Sequence, residues 1–188
     1  LQTNDAILEE MIPFHAEASF LVARAIDGSL SSFPASLNEH ENGILARSFA
    51  PAALPDAVIN EGQAAVSALA EALDLVGLLA LETFVTEDSR LLFNEIAPRP
   101  HNSFHWSIEG CETSQFTQLI RAVAGWPLGG TSCYGTWQMD NLLGEDMRSL
   151  ERLANKSGVH IHLYGKAEAK TGRKMGHTNQ QITSKSIA

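Results

Sequence analysis

Cysteine and positive charge are both scarce in this sequence, and each shortage argues against a class of protein. Cys111 and Cys133 are the only two cysteines among 188 residues. They form no C-x-x-C pair, so they give no metal-site signal and suit a reducing compartment. Lysine and arginine number 13 against 22 acidic residues, for a formal net charge of −9, which argues against a general nucleic-acid surface.

Long apolar runs, a leader and phosphate-binding glycine motifs are also missing. No run approaches the roughly 18 apolar residues of a membrane span, and the chain starts at Leu1 without a charged-then-apolar leader. We therefore expect a soluble, cytoplasmic protein with no membrane partner, cut from a longer chain. Neither G-x-x-x-x-G-K-S/T nor G-x-G-x-x-G occurs. The phosphates of any bound nucleotide would therefore have to be coordinated by a metal and by parts of the protein that are not in this chain.

The residues that are present predict an α+β fold, one domain with a small appendage. A hydrophobic content of 44% allows a sizeable core. Asp27–Gly28 predicts a hairpin turn, and residues 38–43 a polar loop. Strand patterns occur at residues 6–11, 17–25, 30–33, 44–49, 136–142 and 159–164. Together these elements predict antiparallel hairpins with helices on one side.

Helical spacing predicts helices at residues 56–73, 114–124 and 145–156. In the second helix, an apolar stripe recurs at i, i+3, i+4 and i+7, and we expect it to face the core. The stripe consists of Phe116, Leu119, Ile120 and Val123. The glycine-rich residues 128–135 predict a boundary between a domain at 1–128 and a small β-rich domain at 129–188. We expect residues 180–188 to be frayed.

The most informative stretch is a predicted hairpin at residues 78–96, LLALETFVTEDSRLLFNEI. If its loop centres on Asp88–Ser89, Glu82 lies directly opposite Glu95. Opposed side chains have Cβ atoms roughly 5 Å apart, where two like charges are destabilising. Two such carboxylates need a cation between them, and magnesium is usually held by a few carboxylates at nucleotide sites.

The same register places Phe84 opposite Phe93, on the face that carries the two glutamates. A loop one residue different would move one glutamate to the other face. The glutamates could also lie on a solvated sheet face without a metal. Both alternatives stay open at this point.

Positive charge is concentrated near the end of the chain, which predicts either a site for a small anionic ligand or a solvated basic loop, and the pattern alone favours the loop. The cluster consists of Lys166, Lys170, Arg173 and Lys174. His160 and His162 form an H-x-H pattern on a predicted strand. No cysteine or third histidine lies near them in sequence, so we expect half-exposed sheet residues, with metal binding as the alternative.

Two segments carry a family resemblance: NEIAPRPHNSFHWSIEGCETSQFTQLIRAVAGWPL, from Asn94, and HLYGKAEAKTGRKMGH, from His162. Together they closely resemble the N5-carboxyaminoimidazole ribonucleotide synthetases, a branch of the ATP-grasp enzymes, over residues 7–179. The resemblance implies the second half of an ATP-grasp fold. It also implies an ATP- and Mg²⁺-dependent ligase of purine biosynthesis that carboxylates 5-aminoimidazole ribonucleotide with bicarbonate, and a homodimer for the full-length form.

The resemblance assigns nucleotide and metal roles to particular residues. The segment ILEEMIPFHAE looks like the adenine-binding hinge, and the residues that would line the base are Glu9, Glu10, Met11 and Ile12. Glu17 would take the ribose hydroxyls, and His40 matches a nucleotide-contacting histidine. Asn94 adjoins the nucleotide in the motif, although strict alternation points it to the face opposite Glu95. Glu82 and Glu95 match the magnesium ligands.

The resemblance also assigns the ribonucleotide end of the site. Arg99 and His101 would meet the ribonucleotide and bicarbonate and carry the catalytic roles. Arg99 would stabilise transferring oxygens, and His101 would position substrate or act as an acid or base. The positions that match a 5′-phosphate site are Lys166, Arg173 and Lys174. This match favours the anion-binding interpretation of the basic cluster.

The chain departs from the family pattern in two respects. The family usually has glycine where this chain has Phe104, so we expect Phe104 to strain its loop or narrow the site. The family's first ATP-binding half is not in this chain, so we expect weak nucleotide binding and poor turnover by the chain alone. The alternatives are another ATP-grasp ligase, such as one using formate or biotin, and a non-catalytic nucleotide-binding or interaction module.

Overall fold

The fold is an antiparallel β-sheet with helices packed on it, seen in a computed structural model that describes residues 7–8 and 10–183. The strands are β1 (Ala16–Arg24), β2 (Leu30–Ser32), β3 (Ser36–Glu41), β4 (Ile44–Ala50), β5 (Gly77–Val85), β6 (Leu91–Ala97), β7 (Thr136–Leu142), β8 (Val159–Leu163) and β9 (Gly176–Ile182). Within the described residues they form one nine-stranded sheet in the order β6-β5-β1-β3-β4-β7-β9-β8, with β2 paired to β1.

Four α-helices accompany the sheet in the described part of the chain: α1 (Asp56–Ala72), α2 (Ser107–Gly110), α3 (Gln115–Val123) and α4 (Leu150–Ala154). Single 3-10 turns occur at Asn102–Phe104 and Gly144–Ser149. None of these helices is long and apolar enough to cross a membrane. The expected α+β class is confirmed.

Both faces of the central strands are buried, because β1 and β5 are apolar on both sides. In β1, Phe20 and Val22 join the core cluster formed with α1. The alternate residues Leu21 and Ala23 join a second cluster with Trp106, against which Leu119 of α3 packs. We expected helices on one side; the structure has α1 on one face and α3 on the other.

A glycine in helix α1 allows the helix to lie close to the sheet. Its buried residues recur every fourth position and form the stripe Val58, Gly62, Val66 and Ala70. A Cβ added at Gly62 would overlap the ring of Phe20, which is fully buried. The glycine therefore sets how closely helix and sheet approach.

Strand β3 occupies most of the stretch for which the sequence predicts a polar loop, and that prediction is wrong. The turn is confined to Asn42 and Gly43, both with positive φ. The second half of the strand is exposed, and Asn38 in its first half can be buried because its neighbours satisfy its side chain. The Asn38 side chain donates to Ser19 Oγ (2.6 Å) and accepts from Ser48 Oγ (2.9 Å).

The strand predicted at residues 6–11 does not form over the positions described there, which are 7, 8, 10 and 11. Leu8 and Met11 are almost fully exposed. A strand needs a hydrogen-bonded neighbour. Among the described residues, pairing of this region with β5 begins at His15, whose N–H donates to Val85 O (2.8 Å).

The C-terminal part differs from expectation in two elements. The helix predicted at 145–156 is a 3-10 turn followed by the short α4. Gln180–Ile182, predicted to be frayed, belong to β9, which lies between β7 and β8; residues 184–188 lie outside the described part. Because β7 pairs with β4, the strands before and after residues 128–135 belong to one sheet. The division into two domains at that segment stays a prediction.

The apolar stripe predicted to face the core from α3 is largely exposed. Phe116, Ile120 and Val123 are 40%, 56% and 57% exposed, while Gln115 and Gln118 are fully buried. Both glutamines bind backbone groups of loops, so burying them satisfies polar groups that water cannot reach. Hydrophobic spacing identified residues that share a face, but not the face that is inside.

Replacing Gly62 with alanine is expected to destabilise the fold by about 2 kcal/mol, because overlap with Phe20 outweighs the gain of about 1 kcal/mol in helix propensity. Urea unfolding measures the change. Ala64, exposed on the same helix, is the matched control: Ala64→Gly reports the propensity difference alone, about 1 kcal/mol destabilising. A Gly62→Ala variant that is more stable than the parent would contradict the packing argument.

Candidate functional site

Two carboxylates face each other across the β5–β6 hairpin, as the sequence predicts. Glu82 is the direct cross-strand partner of Glu95. Nearer the turn the pairing shifts by one residue, so that Phe84 pairs with Leu92. The predicted pair of Phe84 with Phe93 is therefore wrong, while the glutamate pair is confirmed.

The shift leaves Asn94 as the extra residue of a β-bulge in β6. In a regular strand, Asn94 and Glu95 would point to opposite faces. A bulge interrupts that alternation, and both residues line the same cavity. Because of the bulge, Asn94 lies beside the glutamates although strict strand alternation would place it on the opposite face of the sheet.

His101 lies with Glu82 and Glu95 in one cluster, where one ligand atom from each residue is within 4.8 Å of the others. His101 Nε2 is 3.1 Å from Glu82 Oε1. Burial, together with the positive charges of Arg99 and Lys174, lowers the pKa of His101 to about 4. The imidazole is therefore neutral at pH 7.

The electrostatics of this cluster fit a divalent cation. Burial raises the pKa of Glu82, and the negative charge of Glu95 adds to the effect. The positive charge of Lys174 opposes this shift without reversing it. Carboxylate oxygens are the ligands that Mg²⁺ prefers, and a neutral imidazole is able to bind a metal as well.

The cluster forms one wall of a cavity of about 490 Å³. The predicted site residues on its lining are Glu17, His40, Glu82, Asn94, Glu95, Arg99, His101 and Lys174. The carboxylate of Glu17 on β1 and the imidazole of His40 on β3 contact each other. Residues far apart in sequence thus converge, because β1, β3 and β5 are neighbours in the sheet.

A buried amide fixes the backbone of His101. Gln115 Oε1 accepts from His101 N, and its Nε2 donates to His101 O, both at 2.8 Å. The same Nε2 is 2.9 Å from Nδ1 of His105. The hydroxyl of Ser103 lies 2.8 Å from His101 Nδ1. The ring and the main chain of His101 are therefore both held from the core side.

The site also contains Gln115, Ser103 and Asn102, which the sequence pattern does not predict as site residues. Asn102 lines the cavity, and neither polar atom of its side chain, although buried, has a hydrogen-bond partner among the described residues. Asn102 and Ser103 stand in the PRPHNS motif next to His101, which was the available signal. Gln115 gave no signal, since its partners come from another segment.

The basic cluster near the end of the chain contributes one residue to the cavity lining. Lys174 is half-buried, and burial lowers its pKa while Glu82 opposes that effect. Lys166 Nζ donates to Lys174 O (2.6 Å) and lies over the ring of Tyr164. Arg173 and Lys170 are exposed, and both contact Glu168.

The predicted adenine-binding residues do not line this cavity where they are described. Glu10 and Met11 are exposed and Ile12 is half-buried, and none of the three belongs to the lining. Glu9 lies outside the described residues. Their role stays a prediction.

A stack of three histidines, with the buried His177 at its centre, lies behind the His101 loop. The His177 ring centroid is 4.6 Å from those of both His105 and His162. His162 Nε2 is 2.7 Å from Glu109 Oε1, and Tyr164 Oη is 2.9 Å from His177 Nδ1. Half-exposed His162 thus takes part in packing, as expected of a sheet residue, and His160 is exposed.

Comparison with protein families identifies the architecture that carries this cavity. The model of the ATP-grasp domain matches residues 1–116. The chain belongs to the ATP-grasp family. A second model, the phosphoribosylaminoimidazole carboxylase C-terminal domain, matches residues 138–187.

The resemblance to N5-carboxyaminoimidazole ribonucleotide synthetases is confirmed by individual ATP-grasp relatives. The synthase of Brucella melitensis is 45% identical over 93% of this chain and 48% of its own length. A crystal structure of the ADP complex of such a synthetase has a TM-score of 0.89 at 43% identity, covering 95% of this chain and 48% of that one. An Aspergillus clavatus synthase in complex with ADP and 5-aminoimidazole ribonucleotide has a TM-score of 0.88 at 31% identity, with 95% and 49% covered. The chain spans about half the length of these relatives.

Phe104, the expected departure from the ATP-grasp relatives, neither strains its loop nor narrows the cavity. The non-glycine residues with positive φ in the described part of the chain are Asn42, Asp74 and Ser89. The Phe104 side chain is fully buried in the core, its ring centroid 6.2 Å from those of both Phe33 and Trp106. The expectation was wrong because the side chain points away from the site.

Acidification is expected to destabilise this ATP-grasp fold through the histidine stack. Burial lowers the pKa of His105 to about 4 and of His177 to about 3, whereas unfolded histidines titrate near 6.5. At pH values between these limits the unfolded chain binds more protons, so stability falls as the pH drops below about 6.5. The free energy of unfolding should fall by about 3 kcal/mol between about pH 7 and 5.

Urea unfolding across this pH range measures the slope, and His101 adds to the same trend. His177→Gln is expected to flatten the slope, whereas His15→Gln, at an exposed position, should leave it unchanged. Equal slopes for the His177→Gln variant and the parent would contradict the assignment.

Proposed function

We propose that this chain is the part of an N5-carboxyaminoimidazole ribonucleotide synthetase that carries the magnesium ligands, and that the protein uses ATP and bicarbonate to carboxylate 5-aminoimidazole ribonucleotide. The observation that carries the proposal is the convergence of Glu82, Glu95 and His101 with Arg99 and Lys174 in one cavity. The relative from Aspergillus clavatus, in complex with ADP and 5-aminoimidazole ribonucleotide, supports both ligands.

Glu82 and Glu95 would hold the magnesium. Burial and the opposed Glu95 carboxylate raise the pKa of Glu82, so a cation bound between the two carboxylates would favour its charged form. A magnesium ion bound there would neutralise charge on the phosphate oxygens during phosphoryl transfer. His101, neutral and with its Nε2 3.1 Å from Glu82 Oε1, would help to position that carboxylate.

Arg99 and Lys174 supply the positive charge of the cavity. The exposed guanidinium of Arg99 donates to Pro100 O from Nη1 (3.1 Å), and its remaining donors suit the paired oxygens of a carboxylate or phosphate. Lys174 is half-buried, and its ammonium group is a compact point charge that suits the binding of a phosphate. A 5′-phosphate beside Lys174 would favour its protonated form, which burial disfavours.

Lys166 and Arg173 complete the proposed phosphate end from the same loop. The ammonium group of Lys166 binds the carbonyl of Lys174, so it would set the position of that residue. Arg173 is exposed and bound to Glu168 O (3.3 Å), and it would turn towards the phosphate when the ligand binds.

The nucleotide would occupy the side of the cavity formed by Glu17, His40 and Asn94. Glu17 and His40 offer a carboxylate and an imidazole at the β1–β3 edge, which suit ribose hydroxyls. Asn94, displaced by the bulge, offers an amide beside the metal ligands. The base would lie against the hinge residues Glu9–Ile12.

The complete reaction is proposed for a protein that contains the rest of the family's chain, because this chain spans about half the length of its relatives. The other half would form the opposite wall of the ATP site. We also propose that the full-length protein is a cytoplasmic homodimer without nucleic-acid or membrane partners. Within each chain, the boundary between the two proposed domains lies at residues 128/129. The net charge of −9 supports the exclusion of nucleic acid.

The two glutamates generate a prediction with effects of opposite sign. Without metal, Glu82→Gln should raise stability by up to about 1 kcal/mol, because it removes the charge opposite Glu95. The same variant should weaken Mg²⁺-dependent ADP binding about tenfold or more, a loss of about 1.4 kcal/mol in binding free energy. Urea unfolding and calorimetric titration of ADP, with and without Mg²⁺, measure the two effects.

Glu87 is the matched control, since it is exposed at the turn of the same hairpin, and Glu87→Gln should change neither quantity. The absence of Mg²⁺-dependent binding at millimolar ADP would favour a non-catalytic module. Phosphate release by the family-length protein that does not depend on 5-aminoimidazole ribonucleotide would favour another ATP-grasp ligase. The chain alone is expected to release little phosphate.

A further inference from the structure

The two cysteines of the chain lie opposite each other in a short antiparallel bridge, away from the strands of the main sheet. Cys111 follows α2, Cys133 precedes β7, and the two residues are direct bridge partners. Two backbone hydrogen bonds flank them: Glu112 N to Ser132 O (3.0 Å) and Tyr134 N to Gly110 O (2.8 Å). Both thiols are free.

The position of these hydrogen bonds defines the geometry of the pair. Because the bonds connect the flanking residues, Cys111 and Cys133 form a non-hydrogen-bonded pair, the type in which Cα atoms approach to about 4.5 Å. Disulfides span Cα separations of about 4.4 to 6.8 Å. The backbone is therefore already placed for a bond between the two sulfur atoms.

The two thiols differ in access and acidity. Cys111 is 7% exposed, whereas Cys133 is half-exposed and its thiol donates to Gly135 O (3.2 Å). A hydrogen bond from Cys111 lowers the pKa of Cys133, and the same contact, with burial, raises the pKa of Cys111. Cys133 is thus the more accessible and more reactive sulfur.

We propose that Cys111 and Cys133 are a thiol pair that a small-molecule disulfide such as oxidised glutathione converts to an intramolecular disulfide. The Cys133 thiolate attacks one sulfur of oxidised glutathione, forms a mixed disulfide and releases one glutathione thiolate. Cys111 then loses its proton to water, attacks the Cys133 sulfur and releases the second glutathione thiolate. The protein loses two electrons and two protons, and oxidised glutathione is reduced to two thiols.

The disulfide would close a ring over residues 111–133, which contain α3. This segment supports the candidate site, because Gln115 holds the backbone of His101 and Gln118 holds Gly129. Closing the ring restricts the unfolded chain more than the folded one. Oxidation should therefore stabilise the support of His101 without moving it.

The experiment treats the purified protein with oxidised glutathione and measures its intact mass under denaturing conditions. The expected product has lost two hydrogen atoms, and a peptide map joins the segments around residues 111 and 133. Because the chain has only two cysteines, the single variants are decisive controls. Cys111→Ser should stop at the glutathione adduct, and Cys133→Ser should react far more slowly.

Three results would overturn the proposal: no reaction, a stable glutathione adduct on the parent chain, or disulfide-linked dimers as the main product. Thermal unfolding tests the consequence. The oxidised protein should melt on the order of 5 °C higher than the reduced one, and a reductant should reverse the shift. A midpoint that is unchanged or lower after oxidation would contradict the stabilising role of the bond.

Discussion

The site depends on two carboxylates that the β5–β6 hairpin holds opposite each other, an arrangement that is unfavourable without a cation. Glu82 is largely buried, and its burial and the negative charge of Glu95 both raise its pKa. The bulge at Asn94 allows the pair to stay in register although the turn is displaced by one residue. The hairpin thus places a buried carboxylate opposite an exposed one, an arrangement that suits a metal site open to water and substrate.

The side chains that hold this arrangement are polar and come from distant segments. Gln115 pairs with the backbone of His101 as a neighbouring strand would, and Asn38 joins β1 to β4 through two serines. Each of these groups would be costly to bury alone, because an unpaired amide loses its hydrogen bonds with water. Together they fix the walls of the cavity. The core side of the site is therefore specified by hydrogen bonds as well as by apolar packing.

Local patterns predicted much of the fold and of the candidate site. Helix α1, the Asp27–Gly28 hairpin and strand β7 agree with their turn and spacing signals. The opposition of Glu82 and Glu95 followed from counting residues along the hairpin, and the basic and PRPHNS segments carried the family resemblance. Polar strands could not be predicted in this way. Strand β9 and the strand that carries His40 depend on partners that only the folded chain supplies.

The sequence by itself determined helices α1 and α3, the main hairpin, the pairing of its glutamates and the family to which the chain belongs. Turn residues and side-chain periodicity act over a few positions, and a motif is a property of the chain alone. The tertiary structure decided that most of the apolar stripe of α3 is exposed, that Phe104 joins the core, and that Cys111 meets Cys133. These outcomes depend on which distant residues pack against a buried surface or form hydrogen bonds with its polar groups. That information is spread over the whole chain.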